Sequence, residues 1–123
     1  MTNDLAPTIK LSNGVEMPAL GLGTSPMNDS QTERATIAAI EAGYRLLDTA
    51  ENYRNEGGVG RGIRASGIDR AEVFITTKFN AQWHGISEVE TAWAKSANLL
   101  DVDYIDLLLI HWPNPAQDRY VEA

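Results

Sequence analysis

Four short apolar segments that alternate with amphipathic segments are the feature that most constrains how this sequence can fold. The apolar segments cover residues 19–23, 44–48, 72–78 and 104–110, and they start at intervals of about 25–33 residues. A strand followed by a helix and then by another strand predicts right-handed βαβ units and a parallel sheet. The last segment is almost continuously apolar, which favours a strand that is buried on both faces.

A β-hairpin is predicted before this sheet. Residues 8–11 and 15–17 have the composition of strands, and the Asn13-Gly14 pair between them is a strong signal for a tight turn. We expect this hairpin to be a structural flap.

Helices are predicted between the strands. Capping boxes of the S-x-x-E type predict helix starts at Ser30 and Ser87. A third helix is predicted at residues 55–65, although it contains four glycines, each less favourable in a helix than alanine by about 1 kcal/mol. Packing must therefore hold this helix together. Residues 119–123 have the pattern of a further helix start.

Composition excludes several classes of protein. A chain of 123 residues fits one domain, and its net charge of −7 argues against a nucleic-acid or anionic-membrane partner, since both need a basic surface. The absence of cysteine excludes disulfides, Cys-based zinc sites and thiol catalysis. The first residues do not resemble a signal peptide, and the longest aliphatic run, residues 107–110, is far shorter than the about 20 residues of a membrane span. A cytoplasmic protein is expected.

Ionisable residues follow three of the four predicted strands. Asp48, Lys78 and His111 end the second, third and fourth strands, and Tyr53 lies in the loop after Asp48. Because the carboxyl ends of parallel strands meet at one rim, these side chains are expected to lie close together. An ion pair with Asp48 would keep Lys78 protonated, and the cationic amine would favour ionisation of the Tyr53 hydroxyl. The set predicts proton delivery to a developing alkoxide, a step worth typically about 10²–10⁴ in rate.

Other signals are less specific. Residues 21–24 (Gly-Leu-Gly-Thr) indicate either a tight bend or a close approach of the backbone to a ligand. Residues 60–65 fit the G-x-G-x-x-A string of dinucleotide-binding turns, but no strand runs into them. His84 is expected on the surface, and two histidines so far apart do not have the spacing of metal ligands. Trp83 and Trp112 flank the rim and would either pack there or contact a substrate.

Four blocks of the sequence resemble the aldo-keto reductase family. Residues 43–60 (GYRLLDTAENYRNEGGVG) resemble its long signature, and residues 21–24, 75–79 and 103–113 match its other early blocks in order and spacing. The resemblance implies an α/β fold of the parallel (β/α)8 TIM-barrel type. It implies that residues 1–123 are the N-terminal half of such a barrel, with a β-hairpin, about four β/α units and an end within the fourth main helix.

The resemblance also implies a catalytic tetrad and a reaction. Members reduce aldehydes and ketones to alcohols by hydride transfer from NADPH, and NADH is possible. Tyr53 would donate the proton, Lys78 and Asp48 would tune it, and His111 would position the carbonyl group beneath the nicotinamide.

The resemblance further implies a cofactor and substrate site. Gly23, Thr24 and Asp48 would contact the nicotinamide–ribose end of the cofactor, and Trp112 would contact the substrate. Ser25 stands where many members carry an aromatic wall, which indicates a roomier entrance. The segments that hold the adenosine phosphate and the pyrophosphate belong to the second half of such barrels.

Four β/α units cannot close an eight-stranded barrel, so the outer strands are expected to be open edges. Leu20, Leu22, Leu107 and Leu109 are expected to point into the barrel. Self-association through these edges is one expectation, and weak or absent activity of the isolated chain is another. Alternative functions are a non-catalytic nicotinamide-binding regulatory subunit, a functionless truncated half-barrel, or a lyase that uses Lys78 as a Schiff-base nucleophile.

Overall fold

A four-stranded parallel sheet covered by three helices forms the body of the molecule, and a β-hairpin precedes it. The computed structural model describes residues 5–123. The strands are β1 Thr8–Lys10, β2 Glu16–Pro18, β3 Gly21–Gly23, β4 Leu46–Asp48, β5 Phe74–Phe79 and β6 Leu107–Ile110. The α-helices are α1 Asp29–Glu41, α2 Glu56–Ser66 and α3 Glu88–Leu100. Single 3-10 turns lie at Glu51–Tyr53, Arg70–Glu72 and Ala81–Trp83.

The strand pairing confirms both the hairpin and the parallel sheet. β1 and β2 are antiparallel, whereas the larger sheet is parallel in the order β3-β4-β5-β6. In this register Gly23 lies beside Asp48, and Lys78 lies beside Leu109. The carboxyl ends of neighbouring strands therefore reach the same rim, as the sequence predicts.

The two faces of the sheet have different roles. Leu47 and Ile75 are fully buried among the helices, in one apolar cluster with Val59 and Leu100. Side chains alternate between faces along a strand, so Asp48 and Lys78 lie on the opposite face. Leu22 packs against the helix-side cluster, so the expectation that it points into the barrel is wrong.

The glycines of α2 allow neighbouring segments to approach it closely. A Cβ on Gly62 would lie 2.6 Å from the Cβ of Thr36 and 2.9 Å from the backbone oxygen of Glu33 in α1. Gly58 faces the backbone of Asp29, and Gly60 faces the Leu100 carbonyl at the end of α3. This close packing explains why a glycine-rich segment forms the predicted helix.

The helix starts differ from the predicted capping boxes. The box of α1 is formed by Asn28 and Gln31, whose side chains each accept a hydrogen bond from the other's backbone amide, at 2.9 and 3.0 Å. The predicted box at Ser30 is wrong, because α1 begins at Asp29 and Ser30 therefore lies inside the helix. Glu33 accepts from Arg61 at 2.9 Å. The box predicted at Ser87 is also wrong.

Ser87 precedes α3, but its hydroxyl makes no capping bond to the helix backbone. It donates to the neighbouring Glu88 carboxylate at 3.1 Å instead. The backbone at Ser87 is already helical, and this conformation differs from the extended one of a typical N-cap residue.

The end of the chain also differs from prediction. Leu109 and Ile110 are 38% and 36% exposed, so β6 is not buried on both faces. Within residues 5–123, β5 is its only neighbouring strand. Residues 119–123 form a turn in which the Glu122 amide donates to the Arg119 carbonyl at 3.2 Å, and the helix start at these residues stays a prediction. Among the residues described, no helix is long and apolar enough to cross a membrane.

Gly62→Ala is expected to destabilise the chain despite the higher helix propensity of alanine. The new Cβ meets the Thr36 Cβ, which is attached directly to the backbone of α1, and the Glu33 carbonyl, and neither is the end of a flexible side chain. Overpacking of this kind costs about 1–3 kcal/mol. Urea denaturation measures the change. Gly57→Ala is the matched control in the same helix, because its nearest neighbour is the Arg61 guanidinium at 3.2 Å, which can move. Equal effects of the two substitutions would contradict this account.

Candidate active site

An ion pair between neighbouring strand ends forms the centre of the rim. The Lys78 ammonium on β5 donates to the Asp48 carboxylate on β4, and to the Thr49 carbonyl at 3.0 Å. The Lys78 side chain is 15% exposed, whereas that of Asp48 is 42% exposed. The cation is thus held in a mostly enclosed position while part of its carboxylate partner faces solvent.

Tyr53 lies beside this pair. It ends the 3-10 turn after β4, and the Lys78 ammonium nitrogen is 5.2 Å from the centre of its ring. The rings of Tyr53 and His111 meet edge to face with centres 5.7 Å apart. The structure therefore brings together all four residues that the sequence singles out, from three strand ends and one loop.

His111 is held at the end of β6 in a position that disfavours its charged form. Its backbone amide donates to the Phe79 carbonyl at 3.1 Å, and its ring stacks on Trp112 at 5.2 Å. Burial and the neighbouring Lys78 charge lower the pKa of His111 below its ordinary value, and Asp48 opposes this effect only in part. This environment therefore favours the neutral imidazole, and its Nδ1 has no partner among residues 5–123.

Gly23 and Thr24 occupy different environments at the end of β3. Gly23 is exposed, and none of the described atoms lies within 4 Å of the place where its Cβ would be. Thr24 is fully buried, and its hydroxyl is 3.0 Å from that of Thr49 and 3.2 Å from the Asn55 side-chain oxygen. Gly23 thus leaves open space beside Asp48. The Thr24 hydroxyl is bound in the interior, and direct contact of Thr24 with a cofactor stays a prediction.

Asn55 is a structural residue of the site that sequence analysis missed. It is fully buried, its side-chain oxygen accepts from the hydroxyls of Thr24 and Thr49, and its amide donates to the carbonyls of Thr24 and Met27, both at 3.0 Å. It therefore joins the loop after β3 to the loop after β4. Its place before α2 suggests an N-cap, but it makes no capping bond, so no local signal reveals this role.

Glu56 is a second residue that the sequence did not reveal. Its carboxyl group is buried under the sheet and accepts from the Thr77 hydroxyl at 2.7 Å. Burial raises the pKa of Glu56, and the hydrogen bonds from Thr77 and Ser96 only partly offset this. Glu56 joins α2 to β5 directly behind Lys78.

The structure places His84, Trp83 and Trp112 in three different environments. His84 is fully buried, with its ring edge-on to Phe79 at 5.8 Å, so its predicted surface position is wrong. Trp83 lies near the rim, where its indole donates to Glu51 at 3.0 Å. Trp112 stacks on His111 with one face of its ring and is 64% exposed, which leaves the other face available to a ligand.

Comparison with known proteins relates this rim to one family. The sequence model of the aldo/keto reductase family matches residues 17–123. The chain belongs to the aldo/keto reductase family. An aldo-keto reductase from Mycobacterium marinum is 51% identical over 118 residues, which are 96% of this chain and 42% of that relative. The chain therefore spans less than half the length of the curated relatives it matches.

Solved aldo/keto reductases show the same arrangement of hairpin and parallel strands. The crystal structure of the Brucella melitensis enzyme has a TM-score of 0.90 at 43% identity and covers 95% of this chain and 45% of that one. The Bombyx mori aldo-keto reductase, solved in complex with NADP, has a TM-score of 0.83 at 38% identity and covers 89% and 39%. The β3–β6 sheet is therefore part of an aldo/keto reductase TIM barrel, and the predicted family and fold class are confirmed.

The His111 environment predicts a specific pH dependence. Its imidazole should titrate below about 6.5 in the folded chain. Because the unfolded chain then binds more protons between the two pKa values, stability falls as the pH decreases from about 6.5 through the folded value. Histidine NMR signals measure the titration, and His84→Asn assigns the second histidine.

The stability part of this prediction needs a comparison with His111→Asn. Urea unfolding at pH 7.5 and 5.5 should show that wild type loses more stability than His111→Asn on acidification. A His111 pKa at or above 6.5, or equal losses in both proteins, would contradict the assignment.

Proposed function

We propose that the protein to which this half-barrel belongs reduces aldehydes and ketones to alcohols by hydride transfer from NADPH, with NADH as a possible alternative. The observation that supports this proposal most directly is the Lys78–Asp48 ion pair beside Tyr53, with His111 against the same ring. A cation, a phenol and a neutral imidazole at one rim are the groups needed to protonate a carbonyl oxygen that gains negative charge.

Tyr53 is the general acid in this proposal. The Lys78 ammonium group is held beside the Tyr53 ring because the Asp48 carboxylate and the Thr49 carbonyl accept from it. In this position it stabilises the negative charge that develops on the Tyr53 oxygen as the hydroxyl gives its proton to the substrate oxygen. Asp48 acts on the proton donor indirectly, by orienting Lys78.

His111 and Trp112 position the substrate. The neutral imidazole can donate one hydrogen bond to a carbonyl oxygen without competing with Tyr53 for the proton, because its pKa is lowered. Trp112 stacks on this imidazole and presents an exposed aromatic face, which suits the apolar part of an aldehyde or ketone.

The residues at the end of β3 and β4 fit the nicotinamide end of the cofactor. Gly23 leaves room for a close approach, and the half-exposed Asp48 carboxylate can accept from ribose hydroxyls. The NADP complex of the Bombyx mori relative supports this choice of cofactor. The bound cofactor supplies the hydride, while Gly23, Thr24 and Asp48 shape its binding surface. The rest of the cofactor would be held by residues outside this chain, so the 123-residue chain alone is expected to be weakly active or inactive.

Tyr53→Phe is expected to reduce the rate of carbonyl reduction by about 10²–10⁴ without loss of fold, because only the proton donor is removed. The test uses residues 1–123 fused to the remaining C-terminal part of the Mycobacterium marinum relative, which completes the barrel. NADPH absorbance with a panel of small aldehydes measures the rate, and quenching of tryptophan fluorescence measures cofactor binding.

Tyr44→Phe, which changes a tyrosine before β4, is the matched control and should retain activity. Unchanged turnover in Tyr53→Phe would remove Tyr53 from its role. Tight NADPH binding with no turnover in the wild-type fusion would favour the regulatory alternative. Robust turnover by the isolated chain would contradict the proposed need for the second half.

The open strand edges are proposed to pair with strands outside the chain. Within the described sheet β3 and β6 each have one neighbour, and Leu109 is 38% exposed on the face that carries Lys78.

In the isolated chain a second copy can supply the strand that pairs with an open edge, so light scattering should give a molecular mass of about twice 13.5 kDa. Leu109→Glu should shift the chain to monomer, whereas Ile86→Glu, at a loop residue that is 78% exposed, should not. A folded wild-type chain that is strictly monomeric would exclude the pairing.

A further inference from the structure

The Glu51 carboxylate is a junction between three segments that are distant in the sequence. It accepts from the backbone amide of Asn80 at 3.1 Å, from the Trp83 indole at 3.0 and 3.1 Å, and from the Lys95 ammonium group at 3.0 Å. Asn80 and Trp83 belong to the loop after β5, and Lys95 belongs to α3. One carboxylate thus binds the turn after β4 to the loop that follows Lys78.

This junction is more than a surface ion pair. The Glu51 side chain is 10% exposed, whereas that of Lys95 is 51% exposed, so the ion pair itself contributes little. Burial acts to raise the pKa of Glu51, but hydrogen bonds from Trp83, Lys95 and the Asn80 amide hold it below its ordinary value. The carboxylate is therefore charged and accepts firmly from both donors of the β5 loop.

The position of Glu51 links the junction to the proton donor. Glu51 begins the 3-10 turn that Tyr53 ends, and Asn80 lies two residues after Lys78. Lys78 itself holds Thr49, two residues before the turn, because its ammonium group donates to the Thr49 carbonyl at 3.0 Å. The turn that carries Tyr53 is thus bound to the β5 end at two points, one on each side of Ala50.

We propose that Glu51 is a positioning residue, which holds the Tyr53 turn against the end of β5 and so keeps the Tyr53 ring beside Lys78 and His111. The inference rests on the proposed function, since it gives Glu51 a role only in placing the proton donor. Without this junction the turn would lose the hydrogen bonds that its Glu51 side chain accepts from the loop after β5. Thr49, before the turn, would still be held by Lys78, by Asn55 and by the Thr76 carbonyl. The Tyr53 ring would then leave the His111 ring more open to solvent.

The pKa of His111 reports on this placement in the 123-residue chain, without any need for turnover. Burial is the largest cause of its lowered value, and the Tyr53 ring covers the imidazole at 5.7 Å. Glu51→Gln and Trp83→Phe are therefore expected to raise the His111 pKa toward about 6.5, as measured by histidine NMR. Loss of the Glu51 charge alone would lower this pKa, so the direct electrostatic effect has the opposite sign.

Trp83→Phe changes no charge and keeps an aromatic ring beside Lys95, which lies 5.6 Å from the indole centre in wild type. It therefore tests the junction even where Glu51→Gln fails to fold. Glu33→Gln is the matched control, because it removes a carboxylate that accepts from Arg61 on the α1–α2 surface, away from the rim. Circular dichroism and urea unfolding establish that each variant is folded.

Lys78→Met separates this inference from the proposed function. Loss of the nearby cation should raise the His111 pKa, since the Lys78 charge contributes to lowering it. An unchanged pKa in Lys78→Met would show that the cluster is not assembled, and the proposed function would fail with it. A rise in Lys78→Met together with an unchanged or lowered pKa in Trp83→Phe and Glu51→Gln would overturn the role of Glu51 alone. A rise in all three variants, with no change in Glu33→Gln, is the result we expect.

Discussion

The ammonium group of Lys78 determines the arrangement of the rim. It donates to Asp48 and to the Thr49 carbonyl on the neighbouring strand, so it fixes the ends of β4 and β5 relative to each other. The breaking of a fully buried ion pair costs about 3–5 kcal/mol, but Asp48 is 42% exposed, so this pair is worth less for stability. Its main effect is to maintain one positive charge at a defined distance from a phenol and an imidazole. The lowered pKa of His111 is in part a consequence of this charge.

The loops that present these groups are held by buried hydrogen bonds and not by regular structure. Asn55 joins the loops after β3 and β4, and Glu51 joins the turn of Tyr53 to the loop after β5. In the helix layer, the glycines of α2 allow the α1 backbone to approach closely. A rim built from short strands can in this way hold side chains at fixed positions.

Sequence analysis could locate the principal site residues because they follow the strands. In a parallel sheet the carboxyl end of each strand lies at the common rim, so the strand pattern alone was enough to place Asp48, Lys78 and His111 at that rim. The roles of Asn55 and Glu51 could not be predicted, because all partners of Glu51 lie 29–44 residues away in the sequence, and the Asn55 partners in the loop after β3 lie 28–31 residues away. No local pattern records such contacts. The same limit applies to His84, whose polar sequence neighbours suggest a surface position although it is fully buried.

Errors at the element ends have local causes. Asn28 and Ser30 are both good N-cap residues, and the structure uses Asn28, which forms a complete capping box with Gln31. β6 has an apolar sequence that suits burial on both faces, yet it lies at a sheet edge in a chain that spans 42% of its Mycobacterium marinum relative. The apolar pattern of β6 therefore could not predict the exposure that this edge position gives it.

The most direct measurement of the central claim is nitrogen-15 NMR of the Lys78 side chain. A cationic ammonium group that donates to Asp48 beside the Tyr53 ring should show slowly exchanging Nζ protons and nuclear Overhauser contacts to the aromatic protons of Tyr53. Both signals should be lost in Asp48→Asn if the ion pair orients the amine. A Lys78 signal in fast exchange with water and without contacts to Tyr53 would contradict the proposed proton-donor site.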